Sequence, residues 1–183
     1  TLVAITILLL VIIGPLTISS SSVRSSAFAS EQVTAFFLAQ EGAELAQMAR
    51  DQFALENIKS EGDRPNPWFD FSNQNGVFQY CFNSDGCSTS MNTDNSGTLS
   101  SIRNCSDLAN CRLYLNTSAS VVRSRYNHDN AGTATSFTRV MRFTRVSASE
   151  VNVISTVTWQ SGFSREEQQV SVQTSLFNIY GTN

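Results

Sequence analysis

The sequence of 183 residues predicts an α+β protein: a long N-terminal α-helix, hydrophobic in its first half and amphipathic in its second, packs against a C-terminal antiparallel β-sheet. Three observations predict this fold class. An uncharged apolar run opens the chain, a proline-free helical stretch follows it, and three β-rich runs come near the end. We divide the chain accordingly into residues 1–27, residues 28–60, a loop-rich variable region at 61–135 and a β-meander at 136–183.

The opening run, "TLVAITILLLVIIGPLTI" (1–18), holds twelve Leu, Ile or Val residues, and no charge precedes Arg24. A helix over this run spans about 27 Å, close to the hydrocarbon thickness of a bilayer, so we expect it to enter membranes. A cleaved signal peptide is disfavoured because no basic flank precedes the long run. A plain membrane anchor remains an alternative. Gly14-Pro15 favours a kink or local melting, because proline removes a backbone hydrogen bond.

The stretch 28–58 predicts a second helical segment whose apolar residues lie on several sides. One set is Val33, Phe36, Phe37, Met48, Leu55 and Ile58, and the others are Phe28, Ala35, Leu38, Ala39, Leu45, Ala46 and Phe53. A helix on the surface of one small domain needs a single apolar stripe, so we expect neighbours on more than one side. Gly42 costs about 1 kcal/mol relative to Ala in a helix, which indicates close approach of another backbone or simple tolerance. A continuous helix over 1–58 would be about 87 Å long, too long for one globule.

Four cysteines form two close pairs with C-x5-C spacing, Cys81 with Cys87 and Cys105 with Cys111. The spacing does not match zinc knuckles, and His128 is the single histidine, so disulfides are favoured over a metal site. Pairing within each close pair is the leading connectivity, although four cysteines allow three. Disulfides imply an oxidising compartment.

The middle region predicts little regular structure. We expect short strands at "GVFQYCF" (76–82) and "CRLYLN" (111–116), and a turn-prone link at "DRPNPWFDF" (63–71) whose aromatic residues cover the end of the helix. Without its disulfides, we expect the polar segment between the two strands to be conformationally disordered.

The C-terminal runs 136–146, 151–160 and 169–178 predict an antiparallel meander. Two sets of residues alternate as expected for half-buried strands: Val151, Val153, Val157 and Trp159 on one strand, and Val170, Val172 and Leu176 on the next.

The charge balance disfavours a dedicated nucleic-acid binder, because the net charge is −3. Arg139, Arg142 and Arg145 are spaced i, i+3, i+6 and do not share one strand face, so we expect solvated or rim arginines. DNA or another surface ligand is permitted by the sequence, but no pattern supports either.

No catalytic constellation is present in the sequence, which lacks G-x-S-x-G, H-E-x-x-H and P-loop patterns. His128, in "YNHDN", is expected on the surface of a loop. We therefore predict a non-enzyme without cofactor or metal.

Three stretches together resemble the type IV pilin superfamily. "TLVAITILLLVIIGP" is similar to the segment that follows the prepilin cleavage site, "FFLAQEGAELAQMARDQ" to the second half of the pilin helix, and "FTRVMRF…VISTVTWQ…QQVSVQTSLFN" to the C-terminal meander. The likeness is strong over 1–58, fair over 136–178 and nearly absent over 65–130. The first methionine is Met48, and the resemblance places a leader glycine and a glutamate before Thr1, so we expect residues to precede the sequence as given.

The resemblance implies a structural subunit of an extracellular type IV pilus used for adhesion, motility or DNA uptake. It implies anchoring in the inner membrane before assembly, processing by a prepilin peptidase, and pilus assembly machinery that draws identical subunits into a helical filament. The helix residues expected in the filament core are Leu2, Ile5, Leu9, Ile12, Gly14, Pro15, Leu16, Phe28, Phe36, Phe37, Leu38 and Leu45. Two alternatives remain: a minor pilin or secretion-system pseudopilin, and a monomeric membrane-anchored binding domain.

Overall fold

One helix, α1, spans Leu2–Lys59 in the computed structural model, and its backbone is helical without interruption over those 58 residues. At 1.5 Å per residue it is about 87 Å long. The described residues are 2–59, 67–92, 98–117, 126–162 and 166–179; within α1, the side chains of residues 8–18 and 56–59 lie outside the description.

Two short helical elements follow α1 where the sequence predicted a link and a strand. The expected link contains a second α-helix, α2 (Pro67–Ser72), whose Trp68 and Phe71 are buried, as expected for aromatics that cover the helix. The predicted strand at 76–82 is wrong, because Gln79–Phe82 forms a 3-10 helix. A tight turn suits this segment because Cys81 forms a disulfide with Cys87, only six residues further along the chain.

In the described part of the chain, seven strands form one antiparallel sheet. They are β1 (Cys87–Ser88), β2 (Arg103–Asn104), β3 (Arg112–Leu115), β4 (Tyr126–Asn127), β5 (Thr133–Ser147), β6 (Glu150–Gln160) and β7 (Glu167–Phe177), with a second 3-10 helix at Leu108–Cys111 before β3. The three long strands fall on the three runs that predicted the meander, and β3 confirms the strand expected at 111–116. The α+β class, with a long N-terminal helix and a C-terminal antiparallel sheet, is confirmed.

The longest strand, β5, is the centre of the sheet. One of its edges pairs with β6 from Thr138 to Ser147, and β6 pairs in turn with β7 along its whole length. The other edge is shared by β3, which pairs at Thr133–Thr138, and by β1, which pairs at Met141. The short strands β2 and β4 extend the sheet beyond β1 and β3. The disulfide-linked region is thereby joined to the same sheet as the meander.

The second half of α1 lies against one face of this sheet. Val151, Val153, Val157 and Trp159 on β6 are all buried, and Val170, Val172 and Leu176 on β7 point to the same side, so the predicted alternation is confirmed. The core contains two apolar clusters at different levels of α1. The upper cluster is Ala35, Leu38, Ala39, Leu113, Phe137, Val157 and Trp159. The lower cluster includes Ala46, Ala49, Phe71, Phe78, Phe143, Val151 and Leu176.

Candidate functional site

The face of α1 that meets the sheet is built from small residues. Its buried side chains are Ala35, Leu38, Ala39, Ala43, Leu45, Ala46, Ala49 and Ala54. Alanine allows the helix axis to approach the strands closely while it loses no side-chain entropy. Of the several sides that were predicted to have apolar residues, this one is covered by the chain's own sheet.

The opposite face of α1 also carries apolar side chains. At 100° per residue, Val33, Phe37, Met48 and Leu55 point roughly 160–220° away from Ala35. We call these four residues the outer stripe. Phe37 is 62% exposed and Leu55 is 56% exposed, Val33 is exposed as well, and Met48 is half-buried. Val33, Phe37 and Leu55 of the outer stripe are therefore left exposed by the part of the chain that the structure describes.

The first half of α1 extends beyond the sheet. The first buried side chain among those described in α1 is Ala35. The 33 residues before it correspond to about 50 Å of helix. Exposed apolar residues in this part include Leu2, Val3, Ile5, Ile7 and Val23.

The residues expected in a filament core fall into three groups. Leu2, Ile5, Phe28, Phe36 and Phe37 are exposed on α1. Leu38 and Leu45 are each 4% exposed, because the fold of the chain itself covers them. The side chains of Leu9, Ile12, Gly14, Pro15 and Leu16 lie outside the described residues.

The prediction that residues 1–18 enter a membrane depends largely on residues 8–18, whose side chains lie outside the described residues. Among the described residues, no helix combines the length and the apolar character needed to cross a membrane. The side chains of residues 8–18, which make up most of the predicted apolar run, are not among those described.

A buried polar cluster separates the two apolar clusters. Arg139 on β5 is fully buried, although the spacing of the arginines predicted a solvated or rim position. Its Nη1 donates to the Glu41 carboxylate at 2.9 Å and to the Leu38 carbonyl at 3.2 Å on α1. Its Nη2 donates to the Thr89 carbonyl at 2.9 Å. A buried charge is tolerated when hydrogen bonds and an opposite charge compensate it. Here Nη1 and Nη2 are compensated in this way, whereas Nε has no partner among the described residues.

The alternation of apolar residues along β5 indicates that Arg139 is buried, although the spacing of the three arginines does not. Arg139 has the same parity as Phe137, Met141 and Phe143, all of which are buried. Residues of one parity share a strand face, so Arg139 points at α1. Arg142, on the opposite face, is exposed and donates to the Ser84 carbonyl.

His128 is also buried, and its predicted surface position is wrong. Its Nδ1 lies 2.9 Å from the Arg112 carbonyl, which can only accept, so this nitrogen carries the proton. Its Nε2 therefore accepts from the Ser88 hydroxyl. Burial, followed by the positive charge of Arg139, lowers the pKa of His128 from 6.5 to about 4. Nothing in the local sequence signals these tertiary contacts.

Ser88 is hydrogen-bonded to His128 as a catalytic serine is to its general base, but it is not accessible from solvent. Ser88 is fully buried, so a substrate cannot reach its hydroxyl. Across the described part of the chain, no group of three His, Cys, Asp or Glu residues is placed to hold a metal ion.

Both predicted disulfides are present. Cys81 is bonded to Cys87 and Cys105 to Cys111, which confirms the leading connectivity. The first bond lies in the lower apolar cluster, whereas the second forms a small cluster with Val140. Gly86, directly before Cys87 in the first loop, has φ of 76°, a conformation that glycine adopts without strain.

Comparison with protein families, curated proteins and solved structures finds no match to this chain.

Proposed function

We propose that this chain is a structural subunit of a type IV pilus filament, in which copies of α1 pack together in the core and the sheet forms the outer surface. The observation that carries the proposal is the outer stripe. Glu44 and Asp51 point to the same side of α1, so the outer stripe is a row of separate apolar side chains among charged ones. Burying one exposed side chain of this kind stabilises an assembly by about 1.5–3 kcal/mol.

The arrangement of α1 favours self-association over a solitary anchored domain. An anchored monomer needs one apolar face against its own sheet, and residues 35–54 supply that face. Val33, Phe37 and Leu55 are exposed and lie outside that face. Packing of α1 against copies of itself would cover them.

The proposal includes a stage in the membrane before assembly. The twelve aliphatic residues in 1–18 would hold the subunit there, and the same surface would later be buried among neighbouring helices. Processing by a prepilin peptidase, recruitment by the pilus machinery and a final extracellular location follow from the resemblance. Such an interface is heterologous, since one face of a subunit meets a different face of the next.

The test is filament formation in cells that carry pilus assembly machinery. Phe37→Asp introduces a charge into the outer stripe, and we expect it to abolish sheared filaments seen by electron microscopy. Leu108→Asp makes the same kind of change at an exposed apolar residue of the second 3-10 helix and should leave filaments intact. Both variants must retain the two disulfides, measured by intact mass.

Two results would contradict the proposal. The first is assembly of Phe37→Asp filaments at the wild-type level. The second is a wild-type chain that stays monomeric in the membrane fraction, which would favour the anchored binding domain.

A further inference from the structure

A polar cavity of about 200 Å³ lies on the disulfide-linked side of the sheet. Its lining includes Ser90, Asn92, Ser100, Arg103, His128 and Asp129. Cavities that bind drug-sized ligands usually measure about 300–1,000 Å³, so this one suits a single small ring or a comparable group. It is separate from the outer stripe on α1.

The floor of the cavity is held by hydrogen bonds within the protein. The Ser90 backbone N–H donates to Ser100 Oγ at 3.1 Å, and Thr89 Oγ1 donates to the Ser100 carbonyl at 2.9 Å. The Thr89 carbonyl accepts from the buried Arg139, which is bound to α1. The floor is therefore anchored to the core, as a preformed binding site requires.

Several polar groups in the lining already form hydrogen bonds within the protein, so they shape the cavity. Both ring nitrogens of His128 are engaged by Ser88 and Arg112, so its ring presents carbon atoms. The side-chain amide of Asn92 donates to Thr98 Oγ1 at 2.8 Å and to the Leu99 carbonyl at 3.3 Å. These bonds fix which end of the Asn92 amide donates and leave its oxygen as an acceptor.

Two charged side chains of opposite sign complete the lining. The exposed guanidinium of Arg103 has no hydrogen bond or ion pair to any described residue, and it offers five N–H donors in a planar fork. Asp129 accepts from the Ala131 N–H through Oδ1 at 3.1 Å, which leaves its second oxygen as an acceptor. A compact anion would meet the Asp129 carboxylate, and a cation would meet Arg103. A ligand with several hydroxyl groups can use donors and acceptors together.

We propose that this cavity binds one sugar ring of a glycan. Arg103 donates to the oxygens of two neighbouring hydroxyl groups on the ring, and Asp129 and Asn92 accept from other hydroxyl groups. The proposal does not depend on filament formation, because all of these residues belong to one chain and lie away from α1.

The test is saturation-transfer NMR with the full-length chain in detergent micelles. The probes are methyl glycosides of a neutral hexose, an N-acetylhexosamine and a hexuronic acid, each titrated separately, with inorganic phosphate as a competitor. We expect saturable binding of at least one glycoside that phosphate does not displace. Arg103→Ala should weaken it about tenfold or more, because a charged donor is lost.

The matched control is Arg142→Ala, which removes another exposed arginine outside the cavity lining and should leave the glycoside affinity unchanged. Absence of saturable binding for all three glycosides would overturn the proposal. Equal affinities of wild type and Arg103→Ala would do so as well, and displacement by phosphate would identify an anion site instead.

Discussion

The buried Arg139 on β5 and the partly exposed Glu41 on α1 form an ion pair, with Nη1 and Oε2 2.9 Å apart. The pair lies between the upper and lower apolar clusters, at the level where Gly42 of α1 passes Ser155 of β6. Hydrophobic burial does not define how far α1 slides along the sheet, since its alanine-rich face is nearly uniform. We interpret the directional bonds of Arg139 to Leu38 and Glu41 as the contacts that set this register.

Removal of the buried guanidinium should strongly destabilise the chain. Arg139→Ala leaves the Thr89 carbonyl without its donor and creates a cavity, and we expect a loss of about 3 kcal/mol in the free energy of unfolding. Glu41→Gln should cost less, about 1 kcal/mol, because that side chain is partly exposed and keeps an acceptor oxygen. Urea denaturation in detergent measures both. Arg142→Ala, the exposed control, should stay within about 0.5 kcal/mol of wild type, and equal losses at the two arginines would refute the register argument.

Gly42→Ala should be destabilising although alanine is the better helix former. The added Cβ would collide with Ser155 Oγ and lie 3.0 Å from Arg139 Cδ. Overpacking costs about 1–3 kcal/mol and exceeds the gain of about 1 kcal/mol in helix propensity. The double variant Gly42→Ala/Ser155→Ala removes the hydroxyl and should recover part of the loss. A more stable single variant, seen as a higher melting temperature, would show that α1 does not approach the sheet this closely.

Stability should fall on acidification because of His128. Its pKa is about 4 in the folded chain and 6.5 in the unfolded chain, so the unfolded chain binds the proton first. The neutral ring contributes fully above pH 6.5, and its contribution declines between pH 6.5 and pH 4. The expected loss is about 3 kcal/mol. The free energy of unfolding is measured at pH 7 and pH 4.5 for wild type and for His128→Asn, and the difference between the two proteins gives the contribution of His128. Parallel pH profiles of the two proteins would contradict the prediction.

The two disulfides allow a matched comparison, because each joins cysteines six residues apart. Loop closure therefore contributes the same amount to both, about 2 kcal/mol. Cys81→Ala/Cys87→Ala should cost more than Cys105→Ala/Cys111→Ala, since the first bond packs in the larger apolar cluster with Phe78 and Phe143. Calorimetric unfolding of the two double variants gives the difference. A larger loss at the second pair would show that the aromatic cluster does not depend on its disulfide.

Local patterns predicted the elements that depend on local physics. The alternation in β6 and β7 identified the buried face, because successive strand residues point to opposite sides. The two close cysteine pairs gave the leading connectivity because short loops bring their ends together readily. The strand predicted for the segment 76–82 was wrong, since its aromatic composition favours a strand but a disulfide to Cys87 requires a tight turn.

The sequence by itself determined the long helix, the antiparallel sheet and the presence of apolar residues on several sides of α1. Only the tertiary structure decided which of those sides the sheet covers, so that Leu38 is buried while Phe37, one residue earlier, remains exposed. It also decided that His128 lies in the interior, and which groups the buried Arg139 binds. A side chain's environment is set by partners such as Glu41 and Ser88 that are distant in the chain, and periodicity contains no information about partners at that separation.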